Sequence, residues 1–141
     1  MYSKTACWVL LVLWLLGLLW FNKAYALDSG QWEDTPPEVK AWFKSLKQPN
    51  NPIASCCGEG DAYWADSFEV VDGRYVAIIT DPRPDGPLNR THREIGTRVP
   101  IPDRNVVDAT KQQNPTGHGI VFLSPTGNPG VVYCYLPPGG V

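Results

Sequence analysis

The chain has 141 residues, a formal net charge of −2, 14 prolines, 13 glycines and four cysteines. The weak negative charge, with no stripe of Lys and Arg to neutralise phosphates, excludes a nucleic-acid partner. Proline and glycine punctuate elements instead of filling them, so their abundance predicts a turn-rich β protein.

The first element is a leader. Lys4 precedes the apolar run Ala6 to Phe21, and Ala24-Tyr25-Ala26 has the small-x-small form that signal peptidase accepts, so residues 1–26 are predicted to be a signal peptide cut before Leu27. The run is shorter than the about 20 residues of an untilted membrane-spanning helix, so removal is expected over anchoring. If it stays, it is the chain's expected membrane contact. With Trp8, Trp14 and Trp20 it is apolar on every side, unlike an amphipathic core helix, and Cys7 lies too early to carry a lipid after cleavage. The protein is therefore expected outside the cytoplasm, in the periplasm or the extracellular space. Lys4 and Lys23 fall in the leader, so ten of the 12 basic residues face all 14 acidic ones in the mature chain, a net charge of −4. About 115 residues are left, enough for one domain that buries roughly 65% of its unfolded surface.

Residues 27–34 read as a flexible lead-in and 35–141 as the single domain. Thr35-Pro36-Pro37-Glu38 predicts a helix start, with Thr35 capping the Glu38 amide and Pro36 at the first helical position. Val39, Trp42, Phe43 and Leu46 then form one apolar face, with Lys40, Lys44 and Lys47 on the other side and Pro49 as the stop. Gln48 to Asp61 is expected to be a loop. Phe68 to Val71 and Arg74 to Thr80 flank Asp72-Gly73, which predicts a two-residue type I′ hairpin with Val70 opposite Tyr75 and Phe68 opposite Ala77. Asp81 to His92 is expected to be a loop, Thr97 to Pro102 an edge strand, and Asp103 to Val107 a single helical turn. A second hairpin joins Gly119–Ser124 to Val131–Leu136. One amphipathic helix plus a small antiparallel β-sheet makes the expected class α+β, with the sheet curling into a small SH3-like barrel.

Export places Cys56, Cys57 and Cys134 where thiols oxidise. Cys134 shares a strand face with Val132 and Leu136, so a disulfide from the Cys56-Cys57 loop would staple the helix end to the sheet; spacing does not say which of the adjacent pair is used. Such a bridge is worth about 4 kcal/mol in the chain-entropy account. One thiol is left over. Glu59 and Asp61 beside Cys57 oppose a lowered thiol pKa, so a redox role is not expected. The rival to a binding function is a copper or zinc site from Cys56, Cys57 and His118, without any CxxC or HxxxH spacing behind it. His92 between Arg90 and Arg93 reads as a surface residue. No nucleophile elbow, phosphate loop or carboxylate pair is present, so no catalytic constellation and no cofactor is implied. Tyr63, Trp64, Tyr75, Tyr133 and Tyr135 form either an aromatic groove of the kind that binds extended peptides or, more simply, ordinary cross-strand packing.

Ala41-Trp42-Phe43-Lys44-Ser45-Leu46, Ser55-Cys56-Cys57 with Asp61, Val99-Pro100-Ile101-Pro102, Asn114-Pro115-Thr116-Gly117 and Tyr133-Cys134-Tyr135-Leu136-Pro137-Pro138 resemble, in order and spacing, a family of small exported bacterial proteins of unknown function. The resemblance implies a further cysteine directly after the aspartate, where this chain has Ala62, and hence one disulfide here against two in the family. It carries no activity. The expectation is an exported domain of the cell envelope that binds a protein or small-molecule partner or serves a structural role.

Overall fold

The computed structural model describes residues 35–56, 59–108 and 110–139; the predicted signal peptide, the lead-in and Cys57 lie outside the described residues. No described helix is long and apolar enough to cross a membrane. The elements are α1 (Pro37–Ser45), β1 (Lys47–Gln48), β2 (Asn51–Ser55), β3 (Ala62–Trp64), β4 (Ser67–Val71), β5 (Arg74–Ile78), α2 (Asp85–Leu88), β6 (Arg98–Pro100), β7 (Ile120–Leu123) and β8 (Val132–Leu136). Short 3-10 turns sit at Glu59–Asp61 and Asp103–Asn105.

The class is α+β, as expected. The strands form three separate antiparallel sheets, β1-β2, β3-β7-β8 and β4-β5-β6. None closes among the described residues, so the SH3-like barrel is not confirmed: the two three-stranded sheets pack face to face without sharing a strand.

Helix α1 begins one residue later than the capping pattern predicts. Pro37 disfavours helical backbone at the residue before it, so Pro36 stays extended at ψ 138° and becomes the cap, without a side-chain hydrogen bond. Its carbonyl accepts from the Val39 and Lys40 N–H groups at 3.0 and 3.1 Å. The expected apolar face is the buried one: Phe43 and Leu46 are buried, and Val39 and Trp42 pack against the same core. The expected loop from Gln48 to Asp61 instead holds the β1–β2 hairpin, turned at Pro49-Asn50, and a 3-10 turn. Asp81 to His92 contains the single turn α2, closed by Asn89 in the left-handed region at φ 48°. The β4–β5 hairpin has the expected register, Phe68↔Ala77 and Val70↔Tyr75, with Asp72 and Gly73 at φ 52° and 77°.

The central sheet β3-β7-β8 is buried on both faces. On one face Ala62, Ile120, Phe122, Cys134 and Leu136 pack against α1 and Cys56; on the other Tyr63, Val121, Leu123 and Tyr135 pack against Ala77, Ile79, Val99 and Ile101 of the outer sheet side. This is why Ile120-Val121-Phe122-Leu123 is an unbroken apolar run where a one-faced strand would alternate. Cys56 is the partner of Cys134: the disulfide joins the end of β2 to the middle of β8, fully buried, with Cα atoms 5.5 Å apart and a sequence separation of 78.

Candidate functional site

A relay of charged side chains from the Asp81 to Glu94 segment lies along the outer edge of β3. Three main-chain groups of that edge are occupied: Trp64 N–H donates to Asp81 Oδ2 at 3.1 Å, Trp64 C=O accepts from Thr80 N–H at 2.9 Å, and Ala62 C=O accepts from Arg83 and Arg90 at 3.3 and 3.0 Å. Asp81 receives both guanidinium groups, each at 2.6 Å, and its side chain and that of Arg90 are almost wholly buried. Burial alone would raise the Asp81 carboxyl, but the bonds from Arg83 and Arg90 and from the Trp64 and Arg83 N–H groups outweigh it and hold the group well below the usual carboxylate range.

The relay continues outward. Arg90 Nε donates to Asp85 at 2.6 Å, the other Asp85 oxygen meets His92 Nδ1 at 2.6 Å, and His92 Nε2 meets Glu94 at 2.9 Å. Only the imidazolium can donate from both nitrogens, so the bonds to Asp85 and then Glu94 raise the His92 pKa. Two rings are braced from the same network, with Arg90 over Tyr63 at 4.6 Å and Arg83 over Trp64 at 4.2 Å. Arg93, itself buried, faces the other way and donates to the Ser124 and Gly127 carbonyls, fastening the loop before β8.

His118 stands at the end of β3. Its ring stacks on Trp64 with centroids 3.8 Å apart and planes at 11°, and its Nδ1 meets Asp66 Oδ2 at 2.9 Å. Asp66 Oδ1 accepts from Gly119 N–H at 2.9 Å, so one carboxylate ties the chain after β3 to the chain before β7. The preceding loop is held by Asn114, which donates to the His118 carbonyl and accepts from Thr116 N–H and Oγ1. Gly119 is required here: a Cβ would collide with the Ala65 carbonyl oxygen and come within 2.8 Å of Pro138 Cδ.

The sequence-predicted site residues separate. Cys56 is bonded to Cys134, so its sulfur is not a thiolate ligand, Cys57 lies outside the described residues, and among the described residues no group of three His, Cys, Asp or Glu side chains could hold a metal ion. The five aromatics do not line one groove. Tyr63 and Tyr135 are buried between the sheets, and the unpartnered Tyr135 hydroxyl is pushed far up by burial and by Tyr75. Tyr75 lies beside Tyr135 at 5.6 Å and Phe68 at 5.2 Å, Trp64 stacks with His118, and Tyr133 lines an open groove with Gln48, Asn50, Arg104, Asn105 and Val131. Sequence reasoning missed Asp66, Asp81, Arg83 and Arg90. The signal available for the last three is the alternation of opposite charges, Asp81, Arg83, Asp85, Arg90, through a proline-rich stretch between strands.

Compared with protein-family models, with curated proteins and with solved structures, the chain has no match in any of the three.

Proposed function

We propose that the protein is an exported, disulfide-stapled domain of the cell envelope or the extracellular space, kin to the small exported bacterial proteins it resembles, that acts by binding a partner and not by catalysis. The Cys56–Cys134 bridge carries the reading: a buried disulfide that closes a long stretch of chain is at home where thiols are oxidised. The charged groups support the same view, since Asp81, Asp85, Arg83 and Arg90 are engaged with one another and with β3 carbonyls, holding loops in place. Expression with the native N-terminus in a bacterial host, followed by fractionation and thiol labelling under denaturing conditions, tests it. The expected product starts near Leu27, leaves the cytoplasm, and labels at one cysteine before reduction and at all three afterwards. A cytoplasmic chain that keeps its leader and labels fully without reduction sinks the proposal.

His118 favours a second reading, metal handling. Asp66 holds Nδ1, which fixes the tautomer and leaves Nε2 as a ligand nitrogen, the arrangement that carboxylates give metal-binding histidines; Cys57 is the mature cysteine that the disulfide does not consume. Stoichiometric copper or zinc in the purified protein, lost in both His118→Ala and Cys57→Ser, would favour this reading over the first.

A further inference from the structure

The sheets of this domain leave unequal edges. The β3 edge is occupied by Asp81, Arg83, Arg90 and Thr80. The β8 edge is covered by the second 3-10 turn and the segment after it: Asn105 Nδ2 donates to the Val132 and Tyr133 carbonyls, and Val107 N–H donates to the Tyr135 carbonyl. The β6 edge carries Pro100, which has no donor to offer. Nothing among the described residues pairs with the outer edge of β4, and all five of its residues are exposed.

The hairpin register says which groups that edge presents. Val71 and Arg74 flank a two-residue turn and so exchange hydrogen bonds, as do Glu69 with Val76 and Ser67 with Ile78. Phe68 and Val70 therefore turn their N–H and C=O groups outward. The opposite strand agrees, because the carbonyl of Tyr75, the partner of Val70, accepts from Ile101 on the β6 side. The same two residues place apolar side chains on the inner face of the sheet where β4 overhangs the core, with Phe68 40% and Val70 60% exposed. On the outer face, Glu69 is forked by Arg98 across β5. Natural edges are blunted by lysine, proline or a bulge, and β4 has none of these.

Charge selects the occupant. From Asp66 to Asp72 the chain carries three carboxylates and no cation. In a two-fold pairing of β4 with a second copy that uses both outward residues, Phe68 faces Val70, Glu69 falls directly opposite its own counterpart, and the Asp66 end meets the Asp72 end. Asp66 then confronts Asp72 at both ends of the pairing, and like charges opposite one another destabilise a sheet, while each Glu69 keeps its own Arg98. The chain's own residues 27–34 are no better suited, with Asp28, Glu33 and Asp34 and no cation. A strand with apolar neighbours beside Phe68 and Val70, basic residues at either end to meet Asp66 and Asp72, and a basic residue opposite Glu69 that shares its carboxylate with Arg98 suits this edge.

We infer that the open edge of β4 is the docking site for an extended, basic segment of a partner polypeptide, which adds to the outer sheet as a fourth strand. The inference deepens the binding reading above and rests on it. The probe is the synthetic peptide Lys-Thr-Val-Lys-Val-Thr-Lys, titrated by calorimetry into the oxidised exported protein at low and high salt. Its counterpart has Glu in place of each Lys. The basic peptide is expected to bind, to slow amide exchange at Phe68 and Val70, and to weaken with salt, while the acidic peptide binds at least about tenfold more weakly. Val70→Pro deletes an outward N–H without touching the β4–β5 ladder and is expected to abolish binding, its fold being checked by circular dichroism. N-methylation of the peptide amides that face the edge makes the same deletion from the other side. Three results would overturn the inference: no binding of the basic peptide at low salt, binding that survives both deletions, or a dimer of the protein that Val70→Pro breaks. An exported partner bound equally well by Val70→Pro removes the edge and leaves the binding function standing; a protein that is not exported removes both.

Discussion

The central sheet β3-β7-β8 and the outer sheet β4-β5-β6 are built alike, each of three short antiparallel strands, and differ in what surrounds them. The first has α1 and the disulfide on one face, the outer sheet on the other, charged side chains along the β3 edge and Asn105 along the β8 edge. The second is covered on one face only, and there incompletely, because β4 reaches past the core. The difference teaches where stability and availability lie in a small domain. Enclosure concentrates the cost of perturbation in one sheet, and the other keeps a strand whose main chain is free to pair.

The largest effects should break the enclosed sheet. Phe122→Ala is expected to cost about 3–5 kcal/mol in denaturant unfolding, against less than about 0.5 kcal/mol for Val70→Ala on the overhang. Equal costs would mean that β4 is packed after all. Replacing Cys56 and Cys134 together by Ala should cost about 4 kcal/mol, read from the same unfolding curves. Asp81→Asn comes next, at about 3 kcal/mol, because it removes one of the two carboxylates, Asp81 and Asp85, that pair the buried Arg90, and the carboxylate partner of Arg83 as well. The pH dependence gives this variant a signature. Asp81 has a depressed folded pKa, so its stabilisation is present above the ordinary carboxylate value of 3.8 and is lost as pH falls through the folded value. Acid unfolding of the wild type should steepen in that range, and Asp81→Asn should flatten it. In hydrogen exchange, Val121 and Phe122 should outlast Phe68 and Val70, whose N–H groups point to solvent. The smallest effect belongs to exposed His92. Its folded pKa is raised, so its contribution is complete below 6.5 and disappears as pH rises through the higher folded value; an NMR titration should place its midpoint above 6.5, and a midpoint at or below that value would mean the Asp85 and Glu94 contacts do not form in solution.

Much of the outer sheet was legible in sequence because its signals are local. Asp72-Gly73 dictates the turn, the turn dictates the register, and Phe68↔Ala77 follows. The helix face was legible for the same reason, while its first residue was misplaced because Thr35 and Glu38 compete with the constraint that Pro37 puts on Pro36. Strand β3 was not legible: Ala62-Tyr63-Trp64 is too short to show a period, and only its pairing with β7 makes it a strand. The pairing of Cys134 with Cys56 over Cys57 is a matter of which side of β2's end faces the core, and no spacing encodes that. The Asp66–His118 contact likewise joins segments whose proximity exists only after the sheets assemble, whereas Asp81 and Arg90 lie nine residues apart in one loop and only their burial against β3 depends on the fold.

Gly119 gives the domain a position whose history will be easy to misread. It carries no chemistry, yet the Ala65 carbonyl and Pro138 fill the space where any side chain would begin. Each line of descent that alters Gly119 must move two other segments at once. An unchanging glycine beside a histidine, within a loop that looks like a site, would then record the crowding of three chain segments and not the selection of a reaction.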